Sequence, residues 1–299
     1  MSGGAVSSLP AGLLAALSGA VVSPALRDLD RDGLLTAGIP ELERGRGFLQ
    51  PDLHFYNVLD HNLATVAALD AVLGDGADGR EFRESAGWIN IEESLGREIE
   101  GVPLITLLRL ACLLHDVAKP ETAVILDDRL RFPRHGPAGA ELMAERLPTL
   151  GLGPAGVRFV TSLIRYHLRP GELIRAWPPT DHAVRRFTTA LDGHVLPLLL
   201  VNLCDGMATR GPRYTRENYR RHLSFLNYVV ARSLAAFPEE EEPLLSGDDL
   251  VAELDVRSGR LLGDVLASVR RAISEGTVTS RDEALALAKQ VLAELKAGT

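Results

Sequence analysis

Apolar residues recur at helical spacing over most of this 299-residue chain. Leu, Ala and Val repeat at intervals of three and four residues, which is typical of helices that bury at least one face. The strongest runs cover residues 58–73, 104–118, 138–147, 154–168, 181–191 and 195–209. Strand-like alternation is confined to 123–132, where Asp127-Asp128 is suited to a tight turn. The pattern predicts an all-α fold with at most one short β-hairpin near residues 123–132.

An acidic run divides this helical pattern. Residues 239–242 are four consecutive glutamates, which is typical of a solvated linker. Beyond the run, Ser246 is placed to cap one helix, and Ser280 with Glu283 forms the capping-box pattern of another. We therefore predict an N-terminal helical segment over 1–50, a large helical domain over 51–238 and a small C-terminal helical appendage over 239–299.

Composition narrows the class of protein. The formal net charge of −8 does not indicate a nucleic-acid binder by bulk charge, although it leaves room for a local basic patch. The two cysteines, Cys112 and Cys204, lie in apolar helical runs and are expected to be buried reduced thiols, as suits a cytoplasmic protein. The apolar run 9–22 is too short to cross a bilayer. We expect a cytoplasmic protein without a membrane-spanning segment.

Several predicted buried helices carry one histidine or aspartate each. His115-Asp116 ends a run that is apolar nearly all round, and a carboxylate buried there must be paired or bind a metal. His61, His167 and Asp205 interrupt three other apolar runs. Each of them alone has the ordinary interpretation of a hydrogen-bonded polar group in the core, whereas several together indicate a shared site. Imidazole and carboxylate ligands suit a divalent ion such as Mn, Fe, Co, Ni, Zn or Mg.

The order His, His-Asp, Asp along the chain resembles the HD superfamily of metal-dependent phosphohydrolases. The wider motifs are LLHDVAKP at 113–120, RFPRHGPAGAE at 131–141 and LIRYH at 163–167. They resemble the HD domain of bacterial tRNA nucleotidyltransferases and their poly(A) polymerase relatives. The appendage resembles the region that follows this domain, through GDDL at 247–250, GDVL at 263–266 and EGTVTSRDEA at 275–284. The resemblance extends from about residue 25 to residue 295 and implies that 51–238 is an HD-domain helical bundle.

The resemblance also implies a metal centre. The residues that correspond to the ligands of a first ion are His61, His115, Asp116 and Asp205. In HD relatives that bind two ions, His135 and His167 fall where the further ligands belong, and Asp116 bridges both ions. With one ion, His135 and His167 would instead bind phosphate or transfer protons. We favour two ions, which would promote attack by hydroxide on a phosphoester.

Cationic side chains near these residues are candidates for substrate binding. Lys119 lies one helical turn after His115, and HD relatives use this position to contact the substrate phosphate or orient a ligand; the alternative is a solvated lysine at a helix C-terminus. Four arginines flank the predicted ligands and are suited to clamping phosphate, unless they are ordinary surface residues. They are Arg134, Arg165, Arg169 and Arg210.

A second set of arginines is interleaved with Tyr214 and Tyr219 and is suited either to an RNA backbone or to a solvated helix face. It comprises Arg213, Arg216, Arg220 and Arg221.

The polymerase relatives also carry an N-terminal catalytic head, with an Asp-x-Asp metal motif. Asp28-Leu29-Asp30 resembles that motif. The head also carries a Gly-Gly or Gly-Ser turn together with an Arg-Asp pair, and Gly3-Gly4 resembles the turn but has no matching Arg-Asp pair. We therefore do not expect nucleotide addition by this chain alone. We expect a phosphohydrolase for a phosphorylated small molecule, a nucleotide or an RNA end, of the 2′,3′-cyclic phosphodiesterase or phosphatase type. The alternatives are a non-catalytic RNA-binding or assembly module that works with a separate head, and a hydrolase of signalling nucleotides.

Overall fold

A computed structural model describes residues 9–51, 53–175, 177–191, 193–234, 244–254, 259–274 and 277–297. The chain divides into two compact units, Met1–Ala236 and Phe237–Thr299. The regular secondary structure of their described residues is helical apart from two small two-stranded sheets, which confirms the predicted all-α class. The acidic run 239–242, Gly3-Gly4 and Glu275-Gly276 lie outside the described residues. The three predicted segments, 1–50, 51–238 and 239–299, stay predictions.

The first unit contains fourteen described α-helices, four short strands and three 3₁₀ turns. In chain order these are α1 (Leu9–Ala16), α2 (Ser23–Arg31), α3 (Leu34–Gly38), a 3₁₀ turn (Pro40–Gly45), α4 (Val58–Leu73), α5 (Ala77–Ala86), α6 (Ile91–Leu95), β1 (Glu98–Ile99), β2 (Val102–Pro103), α7 (Leu104–Leu114), α8 (Lys119–Thr122), β3 (Val124–Leu126), β4 (Arg129–Arg131), α9 (His135–Arg146), a 3₁₀ turn (Leu147–Leu150), α10 (Pro154–Tyr166), α11 (Arg169–Arg175), α12 (Asp181–Thr189), α13 (Val195–Arg210), a 3₁₀ turn (Gly211–Arg213) and α14 (Arg216–Leu234).

Both sheets are tight antiparallel hairpins. The predicted one is β3–β4, in which Leu126 pairs with Arg129 across a turn at Asp127 and Asp128. Both turn residues have positive φ values, 50° and 56°, as a two-residue hairpin turn of the favoured hand requires. The second hairpin, β1–β2, turns at Glu100-Gly101 and was not predicted, because strands of two residues are too short to produce an alternating pattern.

The core of the first unit is built around α7. From Thr106 to Leu114 every residue of this helix is buried, as its nearly continuous apolar sequence predicts. It packs against α4, α10 and α13, and α13 also packs against α4 and α14. The helix ends at Leu114, four residues before the end of the apolar run, because the chain turns there toward α8. The last residues of that run therefore lie at a buried helix end.

A buried ion pair attaches the N-terminal region to this core. The guanidinium of Arg109 in α7 lies 3.2 Å from Oδ1 of Asp70 in α4, and it also donates hydrogen bonds to the carbonyl oxygens of three residues between α1 and α2. Asp70 Oδ2 accepts hydrogen bonds from the backbone N–H groups of Val22 and Ser23. Both charges are thus compensated where water is excluded.

The second unit has three described helices, α15 (Gly247–Leu254), α16 (Arg260–Ser274) and α17 (Arg281–Ala297). Their apolar faces meet at a cluster that includes Leu250, Val265 and Ala288. Both predicted helix starts are capped as expected: Ser246 Oγ accepts a hydrogen bond from Asp249 N, and Ser280 Oγ accepts one from Glu283 N. No helix in the described part of the chain is long and apolar enough to span a membrane.

Candidate metal centre

Five elements of the first unit bring six metal-type side chains together. They are His61 in the first turn of α4, His115 and Asp116 after α7, His135 at the start of α9, His167 after α10, and Asp205 in α13. Asn57 caps α4 by accepting a hydrogen bond from Asp60 N at 3.0 Å, which begins the helix just before His61. All six except Asp205 are buried. The six residues predicted as metal ligands therefore lie in one cluster.

The carboxylate of Asp116 stands between two groups of donors. Its Oδ2 lies 3.2 Å from Nε2 of both His61 and His115. Its Oδ1 lies 3.2 Å from Nε2 of His135 and 3.5 Å from Nε2 of His167. One carboxylate thus presents a different oxygen to each pair of imidazoles, as a bridging ligand does.

Asp205 completes the group on the Oδ2 side. Its Oδ1 lies 3.2 Å from His61 Nε2 and 3.7 Å from His115 Nε2. Thr209, one turn later on α13, donates a hydrogen bond from Oγ1 to the same oxygen at 3.0 Å. Two triads then have donor atoms mutually within 4.8 Å, His61 with His115 and Asp205, and Asp116 with His135 and His167.

Backbone carbonyls orient three of the four imidazoles. Nδ1 of His115 lies 2.9 Å from the carbonyl oxygen of Cys112, and Nδ1 of His167 lies 2.7 Å from that of Ile164. These carbonyls are in the last turns of α7 and α10, where helices leave carbonyl groups without helical partners. Nδ1 of His135 has the same relationship to Phe132, at 2.7 Å. Each Nδ1 therefore carries a hydrogen, which directs the Nε2 atom of each ring into the cluster.

The donors fit divalent cations. His135 Nε2 and His167 Nε2 lie 3.1 Å apart, and both are lone-pair atoms once Nδ1 carries the hydrogen. His61 and His115 repeat this 3.1 Å separation. Asp116 Oδ1 is buried without a regular hydrogen bond, although buried polar atoms are almost always hydrogen-bonded. Converging lone pairs and an unsatisfied buried carboxylate oxygen are explained together by cations, and imidazole with carboxylate is a suitable donor set.

The charges of the cluster are strongly coupled. Burial by itself raises the pKa of Asp116, but His115 and Lys119 outweigh burial and hold this pKa well below its usual range. The same two effects act on Asp205, where His115 and His61 outweigh burial. Burial lowers the pKa of His115, but Asp116 and Asp205 overcome it and raise this pKa to about 10. Two carboxylates thus stay ionised at neutral pH and attract positive charge.

Lys119 is buried and contacts the six-residue cluster. Its Nζ lies 2.6 Å from Asp116 Oδ2 and donates a hydrogen bond to Gln50 Oε1 at 2.7 Å. His54 Nε2 lies 3.4 Å from the same Nζ, and burial, then Lys119, lowers the pKa of His54 to about 4. Gln50 was not predicted, because a single polar residue in an irregular segment produces no pattern. His54 could be suspected only from its position shortly before His61.

The candidate arginines lie close to the predicted ligands along the chain. Arg165 is 3.7 Å from Glu141, the guanidinium of Arg169 lies over the ring of Tyr166, and Arg210 donates a hydrogen bond to Asn218. Arg134 is exposed at the start of α9. Within the described residues, the contacts of these four side chains do not include a predicted metal ligand. Their role in binding phosphate stays a prediction.

Other candidates are engaged elsewhere. Arg216 pairs with Asp78, and Arg220 lies 2.6 Å from Glu81, so two arginines of the predicted RNA-binding set are already compensated. Asp28 and Asp30 of the Asp-x-Asp sequence pair with Arg31 and Arg46. Cys112 and Cys204 are free and buried, and burial raises the pKa of both thiols. None of these residues is among the six that converge.

A family model described as HD domain matches residues 90–201. That span contains His115, Asp116, His135 and His167, whereas His61 and Asp205 lie on either side of it. The triad of His61, His115 and Asp205 therefore includes two residues, one on α4 and one on α13, that lie outside the matched span.

The chain is also similar to curated proteins. It is 30% identical over 264 residues to an A-adding tRNA nucleotidyltransferase of Deinococcus radiodurans, with 88% of this chain and 53% of the relative covered. It is 29% identical over 265 residues to a CC-adding tRNA nucleotidyltransferase of Thermus thermophilus, covering 87% and 51%. A bifunctional uridylyltransferase/uridylyl-removing enzyme of Ruegeria pomeroyi is 28% identical over 172 residues, covering 56% and 16%. The chain spans about half the length of the two tRNA nucleotidyltransferases.

Proposed function

Because this chain carries an HD domain, we propose that it is a metal-dependent phosphohydrolase with two divalent ions. The proposal rests on the position of the Asp116 carboxylate. Its Oδ2 faces His61 and His115, whereas its Oδ1 faces His135 and His167. One ion would be held by His61, His115, Asp205 and Asp116 Oδ2, and the other by His135, His167 and Asp116 Oδ1. When bound, such ions supply Lewis acidity toward a phosphoryl group and lower the pKa of water.

The surrounding residues support this chemistry. Lys119 Nζ lies beside Asp116 Oδ2, so an ammonium group is held where a phosphoryl oxygen would approach. Gln50 and His54 contact the same Nζ and restrict its position. Five of the six predicted ligands are buried, and their low exposure to water strengthens electrostatic interactions among them. Lys119 would thus bind and orient the phosphoester.

The proposed substrate is a nucleotide or RNA-end phosphoester, a 2′,3′-cyclic phosphodiester or a phosphomonoester. Support comes from the relatives: two are named for adding nucleotides to tRNA, and a third for removing a uridylyl group, which is a nucleotidyl unit. RNA is the proposed macromolecular partner. A hydrolase of signalling nucleotides would use the same metal centre and differ in its substrates. A non-catalytic module would not need six converging donor residues.

Metal analysis combined with a panel of phosphoesters tests the proposal. We expect close to two divalent ions per chain, and hydrolysis of 2′,3′-cyclic AMP or bis-p-nitrophenyl phosphate that is lost in Asp116→Ala. Asp28→Ala is the matched control, because Asp28 is exposed and pairs with the neighbouring Arg31. A metal-free protein that cannot be reconstituted, or an Asp116→Ala variant as active as the original, would contradict the proposal.

A further inference from the structure

The metal centre is accessible to solvent on one side. The side chain of Asp205 is 20% exposed, whereas the other five predicted ligands are 7% exposed or less. Thr209, which donates a hydrogen bond to Asp205, also lines a cavity of about 570 Å³. The cavity therefore borders the centre on the side of its exposed ligand. Its volume is in the range of small-molecule sites.

An exposed indole stands at the edge of this cavity. Trp177 lines the cavity and is 52% exposed, although a ring of this size is usually largely buried. Its ring lies 6.1 Å from that of Phe225 and 5.1 Å from that of Tyr228, both in tilted arrangements. Two aromatic neighbours from α14 thus support the indole and leave half of its surface available. Such a platform is suited to stacking a planar ring.

The cavity also carries positive charge that is not compensated. Arg210 and Arg221 line it, and neither forms an ion pair with a carboxylate in the described part of the chain. A second cavity, of about 420 Å³, offers a contrast, because Arg216 on its wall is already paired with Asp78 on the same wall. Guanidinium groups without a carboxylate partner, beside an aromatic platform, are suited to a phosphorylated ligand with a planar base.

Polar side chains also line the same cavity. Asn218 and His222 of α14 line it together with Trp177. His222 Nδ1 is 2.5 Å from the hydroxyl of Tyr214, which fixes the ring. An added Cβ at Gly206 would lie 2.6 Å from His222 Cε1, so glycine permits close packing of α13 against this histidine. The wall next to Asp205 is therefore both polar and tightly packed.

We propose that this cavity binds the nucleoside part of the substrate, with the base stacked on Trp177 and the phosphoester presented to the metal centre beside Asp205. Arg210 and Arg221 would bind the adjoining phosphate of an RNA strand. The catalytic part of this inference rests on the proposed phosphohydrolase function, whereas binding of the nucleoside does not. The structure thereby assigns specificity for nucleotides to α13, α14 and the segment that carries Trp177.

Kinetics with and without the base test the assignment. We expect Trp177→Ala to raise KM for 2′,3′-cyclic AMP about tenfold relative to KM for methyl riboside 2′,3′-cyclic phosphate, which has the same reacting ring and no base. Trp88→Ala is the matched control, since Trp88 is 51% exposed and does not line the cavity. An unchanged ratio of the two KM values in Trp177→Ala, or the same change in Trp88→Ala, would overturn the proposal.

Direct binding separates this proposal from the catalytic one. Trp88→Phe leaves Trp177 as the only tryptophan of the chain. We expect 3′-AMP to quench its fluorescence with saturation, and inorganic phosphate to leave it unchanged. Saturable quenching in a protein that hydrolyses neither cyclic phosphate would support the cavity and reject the hydrolase. Hydrolysis of both substrates without quenching by millimolar 3′-AMP would support the hydrolase and reject the nucleoside-binding cavity.

Discussion

The Nζ atom of Lys119 lies 2.6 Å from Oδ2 of Asp116, the oxygen that also faces His61 and His115. A lysine at the start of a four-residue helix would ordinarily point into solvent, but this one is buried and hydrogen-bonded to Gln50. Its charge is thus committed to the metal centre, where it helps to keep Asp116 ionised. We therefore expect Asp116 to bind the metal and Lys119 to bind the substrate.

Lys119→Met should reduce kcat for 2′,3′-cyclic AMP by about 10²–10³-fold, in the range found when one positioned donor to a transition state is removed. Metal content should stay near two ions per chain, because the side chain removed carries positive charge and is not a ligand. Atomic absorption and steady-state kinetics on the same sample measure both quantities. Lys289→Met, an exposed change on α17, is the control. Loss of metal together with activity would indicate that Lys119 only maintains the cluster.

His135→Gln should remove one ion and leave the other. His135 faces Asp116 Oδ1, while the triad of His61, His115 and Asp205 does not include it. We expect the ratio of metal to chain to fall from about two to about one, with activity lost because both ions are required. His182→Gln, at an exposed position of α12, should retain both ions. A single ion in both the original protein and His135→Gln would reject the two-metal centre.

Metal binding should be coupled to pH through His115. Burial opposes its charged form, but Asp116 and Asp205 raise its pKa to about 10, above the ordinary value of 6.5. Its proton therefore stabilises the metal-free fold fully below about pH 6.5, and this contribution is lost as the pH rises through about 10. A metal ion needs the neutral ring, so binding between these values releases the proton, and apparent affinity should rise about tenfold per pH unit. Chelator competition at several pH values measures the slope; a flat profile would contradict this coupling.

Asp70→Asn should destabilise the fold without altering a metal ligand. The change leaves the guanidinium of Arg109 buried without its carboxylate partner, and breaking such a pair costs about 3–5 kcal/mol in free energy of unfolding. Urea unfolding of the metal-free protein provides the measurement. Asp28→Asn removes an exposed pair with Arg31 and should change this free energy by less than about 1 kcal/mol. Equal losses in free energy of unfolding for the two changes would show that the buried pair stabilises the fold no more than an exposed pair does.

Local patterns in the sequence predicted the helices α4, α7, α9, α10, α12 and α13 and indicated polar residues in apolar runs, whereas the full set of six ligands, including His135, came from the resemblance to the HD superfamily. The uninterrupted apolar sequence of α7 predicts burial, because transfer of apolar surface from water depends on residue type and helical period. A histidine and an aspartate at the end of such a helix then require a compensating partner. The turn residues Asp127 and Asp128 likewise indicate their hairpin from local backbone preference. These features depend on residues close together in the chain, which is why sequence alone predicts them.

Only the tertiary structure decided how these residues meet. The two oxygens of Asp116 face imidazoles from four different elements, and no local pattern specifies which oxygen faces which ring. Likewise, Arg216 is paired with Asp78 while Arg221 borders the cavity beside Asp205, although both belong to the same basic stretch of sequence. Packing of α4, α7, α10 and α13 sets these distances, because side chains far apart in sequence come within bonding range only when the helices share one core.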